Sequence, residues 1–138
     1  MLDQVEIFHG LSSDELAALE HSSTSETYSK NTVVIQENEP ADALYVIESG
    51  RVKVYCSDKN GKEFIMNSLG VGDYFGELAL LDDSARSASV RTVEPCQFRI
   101  VKKEDFSKVL SDNPGITQQL LGNLAARVRK LTTDVKNL

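Results

Sequence analysis

The spacing of apolar residues changes twice along the chain. Over residues 12–21 it is helical: Leu16 and Leu19 make a short apolar face, and Ser12 with Glu15 three positions on has the form of a capping box. Phe8 and Leu11 stand where they could staple the entrance of that helix. From Thr32 the pattern becomes that of strands. TVVIQ and LYVI (44–47) are short apolar runs. RVKVYC (51–56) alternates with period two and puts Val52, Val54 and Cys56 on one face. FIMNSL (64–69), SVRTV (89–93) and CQFRIV (96–101) continue the series, the last with Cys96, Phe98 and Ile100 on one face. Between them lie turn signals: ESG after the second run, Asn60-Gly61 as a hairpin, and GVGD with two glycines. Short strands punctuated this often predict a barrel or jelly roll.

The last third returns to helical spacing. KKEDFSKVL (102–110) predicts a short helix, and Asn113-Pro114 predicts the start of a longer one, with an N-cap followed by proline at the first helical position. Along it the apolar residues are Ile116, Leu120, Leu124, Val128, Leu131, Val135 and Leu138. The last five form a narrow seam of coiled-coil type. A helix of this length spans about 36 Å, more than a small barrel needs for cover, so the seam 114–138 is expected to join two copies of the chain. The chain therefore divides into an N-terminal helical segment (1–30), a β-roll (31–101) and C-terminal helices (102–138), within one domain, 1–138.

Composition narrows the function. The length of 138 residues suits one core, and 41% hydrophobic with 26% charged residues is ordinary for a globular chain. A net charge of −6 argues against nucleic acid as a partner, since phosphate backbones reward basic patches. The one basic cluster, Arg127, Arg129 and Lys130, reads as a solvated helix face. Cys56 and Cys96 both fall in expected strands and read as small core residues. With His9 and His21 far from them in sequence, no metal, haem or iron–sulfur set is expected, and the reading is of a reducing, cytoplasmic setting. The N-terminus lacks the form of a signal peptide and no run is long enough to span a membrane. HExxH, GxSxG and GxxxxGK[ST] are absent, so no enzyme is expected.

One stretch carries chemistry. FGELALLDDSARSASV (75–90) sets Gly76 and Glu77 ahead of an apolar run and follows nine residues after the acid with Arg86 among small residues. A small anion needs a positive charge, inward N–H groups and close backbone approach. Gly76 allows the approach, and Leu78-Ala79-Leu80-Leu81 fits a short helical turn whose first N–H groups are free. Arg86 offers a planar fork matched to phosphate oxygens, and Ser87 adds a hydroxyl. Glu77 would repel a phosphate but accepts hydrogen bonds from a sugar. One phosphate with a sugar means a nucleotide, and one arginine suits one phosphate charge. A Glu77–Arg86 salt bridge in a loop is the plainer alternative.

This stretch resembles the phosphate-binding cassette of cyclic nucleotide-binding domains, found in bacterial catabolite activator proteins, regulatory subunits of cyclic-AMP-dependent kinase and cyclic-nucleotide-gated channels. YVIESGRVKVY and LGVGDYFGELALL match the family's strand–turn pattern, so the likeness covers nearly the whole chain. The resemblance implies a mainly β fold: an eight-stranded jelly roll with an N-terminal helix and a long C-terminal helix. It implies that Gly76 meets the ribose with its backbone, that Glu77 binds the 2′-hydroxyl, and that Leu78 and Ala79 offer N–H groups. It further implies that Arg86 pairs with the cyclic phosphate and that Ser87 contacts it, with Ala88 completing the match. Serine at position 87 leans toward cyclic AMP over cyclic GMP. The long helix would offer the base a hydroxyl, with Thr132 and Thr133 at about that place and Leu131 nearest by count. A jelly-roll module with a vestigial, unliganded pocket is the competing expectation. With no helix-turn-helix residues after Leu138, the chain is expected to bind no nucleic acid itself, as either the sensor half of a transcription regulator or a stand-alone sensor.

Overall fold

The strand-patterned middle of the chain folds, in a computed structural model that describes residues 1–138, into two four-stranded antiparallel sheets packed as a jelly roll. In chain order the elements are α1 (Ser13–Ser22), β1 (Thr24–Tyr28), β2 (Val33–Ile35), β3 (Ala43–Ser49), β4 (Val52–Ser57), β5 (Glu63–Leu69), β6 (Tyr74–Phe75), α2 (Glu77–Asp82), β7 (Ser89–Thr92), β8 (Cys96–Lys102), α3 (Lys103–Asp112) and α4 (Pro114–Lys136). Two short 3-10 turns, Leu2–Gln4 and Glu6–Phe8, precede α1. One sheet has the order β1-β8-β3-β6 and the other β2-β7-β4-β5. The eight strands agree with the expected jelly roll. The periodic runs supply six of them. The other two are β1, which is polar and mostly exposed on a sheet edge, and β6, which is two residues long. The roll thus begins at Thr24, inside the segment 1–30 expected to be helical.

Strand alternation sorts the apolar residues between two cores. On β3, Tyr45 and Ile47 point between the sheets, while Leu44 and Val46 point outward under the helices. Both faces of β3 are covered, which is why LYVI reads as an unbroken apolar run. The outer core joins Leu2, Val5, Ile7 and Phe8 of the N-terminal turns to Phe106 of α3 and to Ile116 and Leu120 of α4. The inner core holds Phe75 and Phe98 edge-on, with centroids 5.5 Å apart, and Tyr45 stacked on Phe75 at 5.1 Å.

The local signals resolve in detail. The capping box at Ser12 forms in both directions, with Glu15 N–H donating to the serine hydroxyl and Ser12 N–H to the glutamate. Asn113 precedes α4 but does not cap it. Its Nδ2 instead donates to the Val109 carbonyl and to Glu15, tying α3 to α1. Asn60-Gly61 lies in a five-residue loop, 58–62, rather than a two-residue turn: Asp58 accepts from the N–H groups of Asn60 and Lys62, and only Gly61 has positive φ. On α4 only Ile116 and Leu120 are buried, ahead of the seam. Val128 is 63% exposed and Val135 65%.

Candidate functional site

The turn after β6 sets the site. Gly76 sits at φ +91°, where a side chain is disfavoured, and a Cβ there would come within 2.6 Å of the Arg86 Nη1. That close approach lets Arg86 reach back across the 77–85 excursion. Its Nη1 donates to the Gly76 carbonyl and its Nη2 to the Ala43 carbonyl, each at 2.9 Å. The guanidinium lies 5.9 Å from the centre of the Tyr45 ring. The backbone of Arg86 is fixed as well, donating to Glu39 at 2.8 Å and accepting from Asn38 at 2.9 Å. Just downstream, the buried Ser89 hydroxyl accepts from the Glu37 N–H at 2.9 Å, which holds the 36–39 loop against the cassette.

Arg86 is 4% exposed and faces no carboxylate in contact. Burial pushes its guanidinium below the ordinary value, while Tyr45, Asp42 and Glu77 push back. Two of its five N–H donors are committed to carbonyls, leaving three. A buried, hydrogen-bonded cation with spare donors and no carboxylate in contact can accept an anion.

Glu77 opens α2 and is 3% exposed. The loop salt bridge between Glu77 and Arg86 does not form. Glu77 Oε1 instead accepts from Arg127 Nη1 at 2.8 Å, across 50 residues. Arg127, read from sequence as part of a solvated face, thus belongs to the site. No local signal could have found it, because the pairing depends on where α4 passes over the roll.

These groups line a cavity of about 380 Å³, within the range of small-molecule sites. All seven expected residues, Gly76, Glu77, Leu78, Ala79, Arg86, Ser87 and Ala88, stand in its wall. Ile35, Val54, Leu69 and Val90 add an apolar wall. Cys56 is a half-buried member of that wall rather than a core residue, its thiol donating to the Ser87 carbonyl at 3.6 Å. Cys96 lies in the inner core as expected. Thr132 and Thr133 are not in the wall. Their hydroxyls donate to the carbonyls of Val128 and Arg129, one turn back on their own helix. The cavity face of α4 is made of Arg127, Lys130, Leu131 and Asp134 instead.

The arrangement offers a buried cation, a buried carboxylate, a largely apolar lining and part of α4 in the wall. A family model, "Cyclic nucleotide-binding domain", matches residues 25–113. A CRP-like cAMP-activated global transcriptional regulator of Mycobacterium tuberculosis is 30% identical over all 138 residues, which span 62% of that protein. Among solved structures, the catabolite activator protein of Thermus thermophilus superposes with a TM-score of 0.82 at 28% identity, covering 94% of this chain and 61% of that one. The sensor domain of the transcriptional regulator DNR from Pseudomonas aeruginosa gives 0.84 at 28% identity, covering 96% and 89%.

Proposed function

The chain belongs to the cyclic nucleotide-binding domain family, and we propose that it is a sensor that binds cyclic AMP and couples that binding to α4. The observation that carries this reading is Arg86, a buried guanidinium with free donors and no carboxylate in contact, in the wall of a nucleotide-sized cavity. In the proposed complex the three remaining Arg86 donors and the Ser87 hydroxyl take the cyclic phosphate. Glu77 takes the ribose 2′-hydroxyl on its second oxygen while Arg127 keeps the first. Gly76, Leu78, Ala79 and Ala88 complete the sugar–phosphate contact surface. The base lies between Val54, Leu69 and Leu131.

Coupling follows from the elements that share the site. α2 supplies Glu77 and α4 supplies its partner Arg127, so a ligand that fixes α2 fixes the middle of α4. Beyond that point Val128, Leu131, Val135 and Leu138 are exposed, an apolar seam suited to a second copy of the chain. The chain covers 62% of its mycobacterial relative, and a role as effector domain in a cytoplasmic transcription regulator is part of the proposal.

A second reading has one observation behind it. Arg86 already clamps Gly76 to β3 through two carbonyls, which would give it a structural role in a ligand-free module. A thermal-shift titration separates the two. A ligand of the native state at a hundredfold excess over Kd adds about 2.7 kcal/mol, a rise of about 8–10 °C for a domain of this size. The sensor reading predicts that rise with cyclic AMP and none with 5′-AMP, whose doubly charged, open phosphate does not suit one arginine. Flat curves with cyclic AMP and cyclic GMP alike would leave the structural clamp as the better account.

A further inference from the structure

This inference rests on reading the cavity as a sensor's ligand site and concerns what holds α4 in its wall. Along α4, Ile116, Leu120, Asn123 and Arg127 are spaced by 4, 3 and 4 residues and so share one stripe. The first two are buried in the outer core, and the last pairs with Glu77. Asn123 lies between these two anchorages, about 6 Å along the axis from Arg127. Its Nδ2 donates to the Tyr74 hydroxyl at 3.2 Å. From residue 121 to residue 126 this is the one side-chain hydrogen bond that α4 makes to another element.

Tyr74 stands where the site and the helix seat meet. It opens β6, two residues ahead of Gly76, and pairs with Val46 of β3. Its ring packs against the outer core and also lines the cavity, and no other residue of the cavity wall packs in that core. Burial pushes its phenol above the ordinary value. The Asn123 bond pulls it down, Glu77 pushes it up and Arg127 pulls it down again, so both members of the ion pair are near the hydroxyl. We propose that Tyr74 is a positioning residue: through Asn123 its hydroxyl continues the seat of α4 from Leu120 to Arg127 and delivers Arg127 to Glu77 before a ligand arrives. Contact with the ligand's sugar and phosphate stays with Glu77 and Arg86, and the Tyr74 hydroxyl acts through α4. The middle of α4 then belongs to the unliganded site, and less of the helix is left for the ligand to order.

Amide hydrogen exchange of the full chain without ligand tests this. Tyr74→Phe keeps the ring and removes the acceptor. Asn123→Ala removes the donor and puts the best helix former in its place, so a loosened helix there cannot be charged to propensity. A neutral hydrogen bond is worth about two- to tenfold in an equilibrium constant. Each variant should exchange faster by about that factor over residues 121–130, with the amides of β8 unchanged. The double variant should exchange no faster than either single one, since both remove the same bond. Arg127→Leu should cost less protection in the Tyr74→Phe background than in the unaltered chain, because the ion pair there has already lost its support. A ring that only fills the core would serve as well as phenylalanine. Unchanged α4 exchange in Tyr74→Phe, additive effects in either double variant, or faster exchange shared equally with β8 would overturn the proposal. Absence of cyclic AMP binding to the unaltered chain would overturn the reading of the site instead, and the ligand-free exchange does not depend on it.

Discussion

Arg86 and Gly76 are one device. The glycine's φ of +91° and the 2.6 Å approach of Arg86 to its would-be Cβ mean that the arginine fits only where there is no side chain. Gly76→Ala is expected to cost about 1–3 kcal/mol from the left-handed backbone alone, with the steric conflict added, and to displace the guanidinium from the cavity. Urea denaturation should show the lower midpoint, and cyclic AMP affinity should fall with it. An alanine variant as stable as the parent would mean that the turn relaxes freely and that the pairing has no structural force. At this scale the sequence was legible where chemistry is local. Gly76, Glu77, Arg86 and Ser87 lie within a dozen residues, and their types alone suggest an anion beside a sugar. Arg127 was not legible, because it meets Glu77 only through the path of α4. Thr132 and Thr133 lie one residue off the positions that α4 gives to the cavity, and one residue of helix turns a side chain by about 100°.

Among the elements, α4 has three jobs at different points along its length. Its first turns pack Ile116 and Leu120 into the outer core, its middle faces the cavity, and its end offers the exposed seam. Arg127 joins the middle of the helix to α2. If that ion pair carries the coupling, cyclic AMP should slow amide exchange over residues 124–136 in the unaltered chain. Arg127→Leu should bind the ligand and lose that protection. Equal protection in both proteins would locate the coupling elsewhere. The strands show how far pattern reaches. β3, β4 and β8 carry apolar runs that face a core on at least one side, so their periodicity survives in the sequence. β1 is held by pairing with β8 rather than by burial, and TSETY carries no apolar signal to read. The loop 58–62 followed the side chain of Asp58, which accepts from two backbone N–H groups, over the usual habit of Asn-Gly.

For the whole molecule, the exposed half of α4 is the largest feature the roll does not explain. Leu121, Val128, Leu131, Val135 and Leu138 all remain exposed, on a helix longer than the roll needs for cover. A second copy packing along the seam would cover them and would place two cavities beside one helical pair. Sedimentation equilibrium is expected to report a dimer for the unaltered chain, and Val128→Glu with Val135→Glu is expected to return the single-chain mass of 15.2 kDa. A monomer for the unaltered chain across the micromolar range would assign the seam to another partner.

The central claim is that the buried Arg86 is the seat of a cyclic phosphate. The measurement that tests it most directly is calorimetric titration of cyclic AMP into the unaltered chain and into Arg86→Lys, which keeps the charge and loses the planar fork. The account predicts one site per chain in the parent and an affinity weaker by about ten- to a hundredfold in the variant. Fold integrity in the variant would be checked by its melting transition. No heat of binding in the parent, or the same Kd in both proteins, would contradict it.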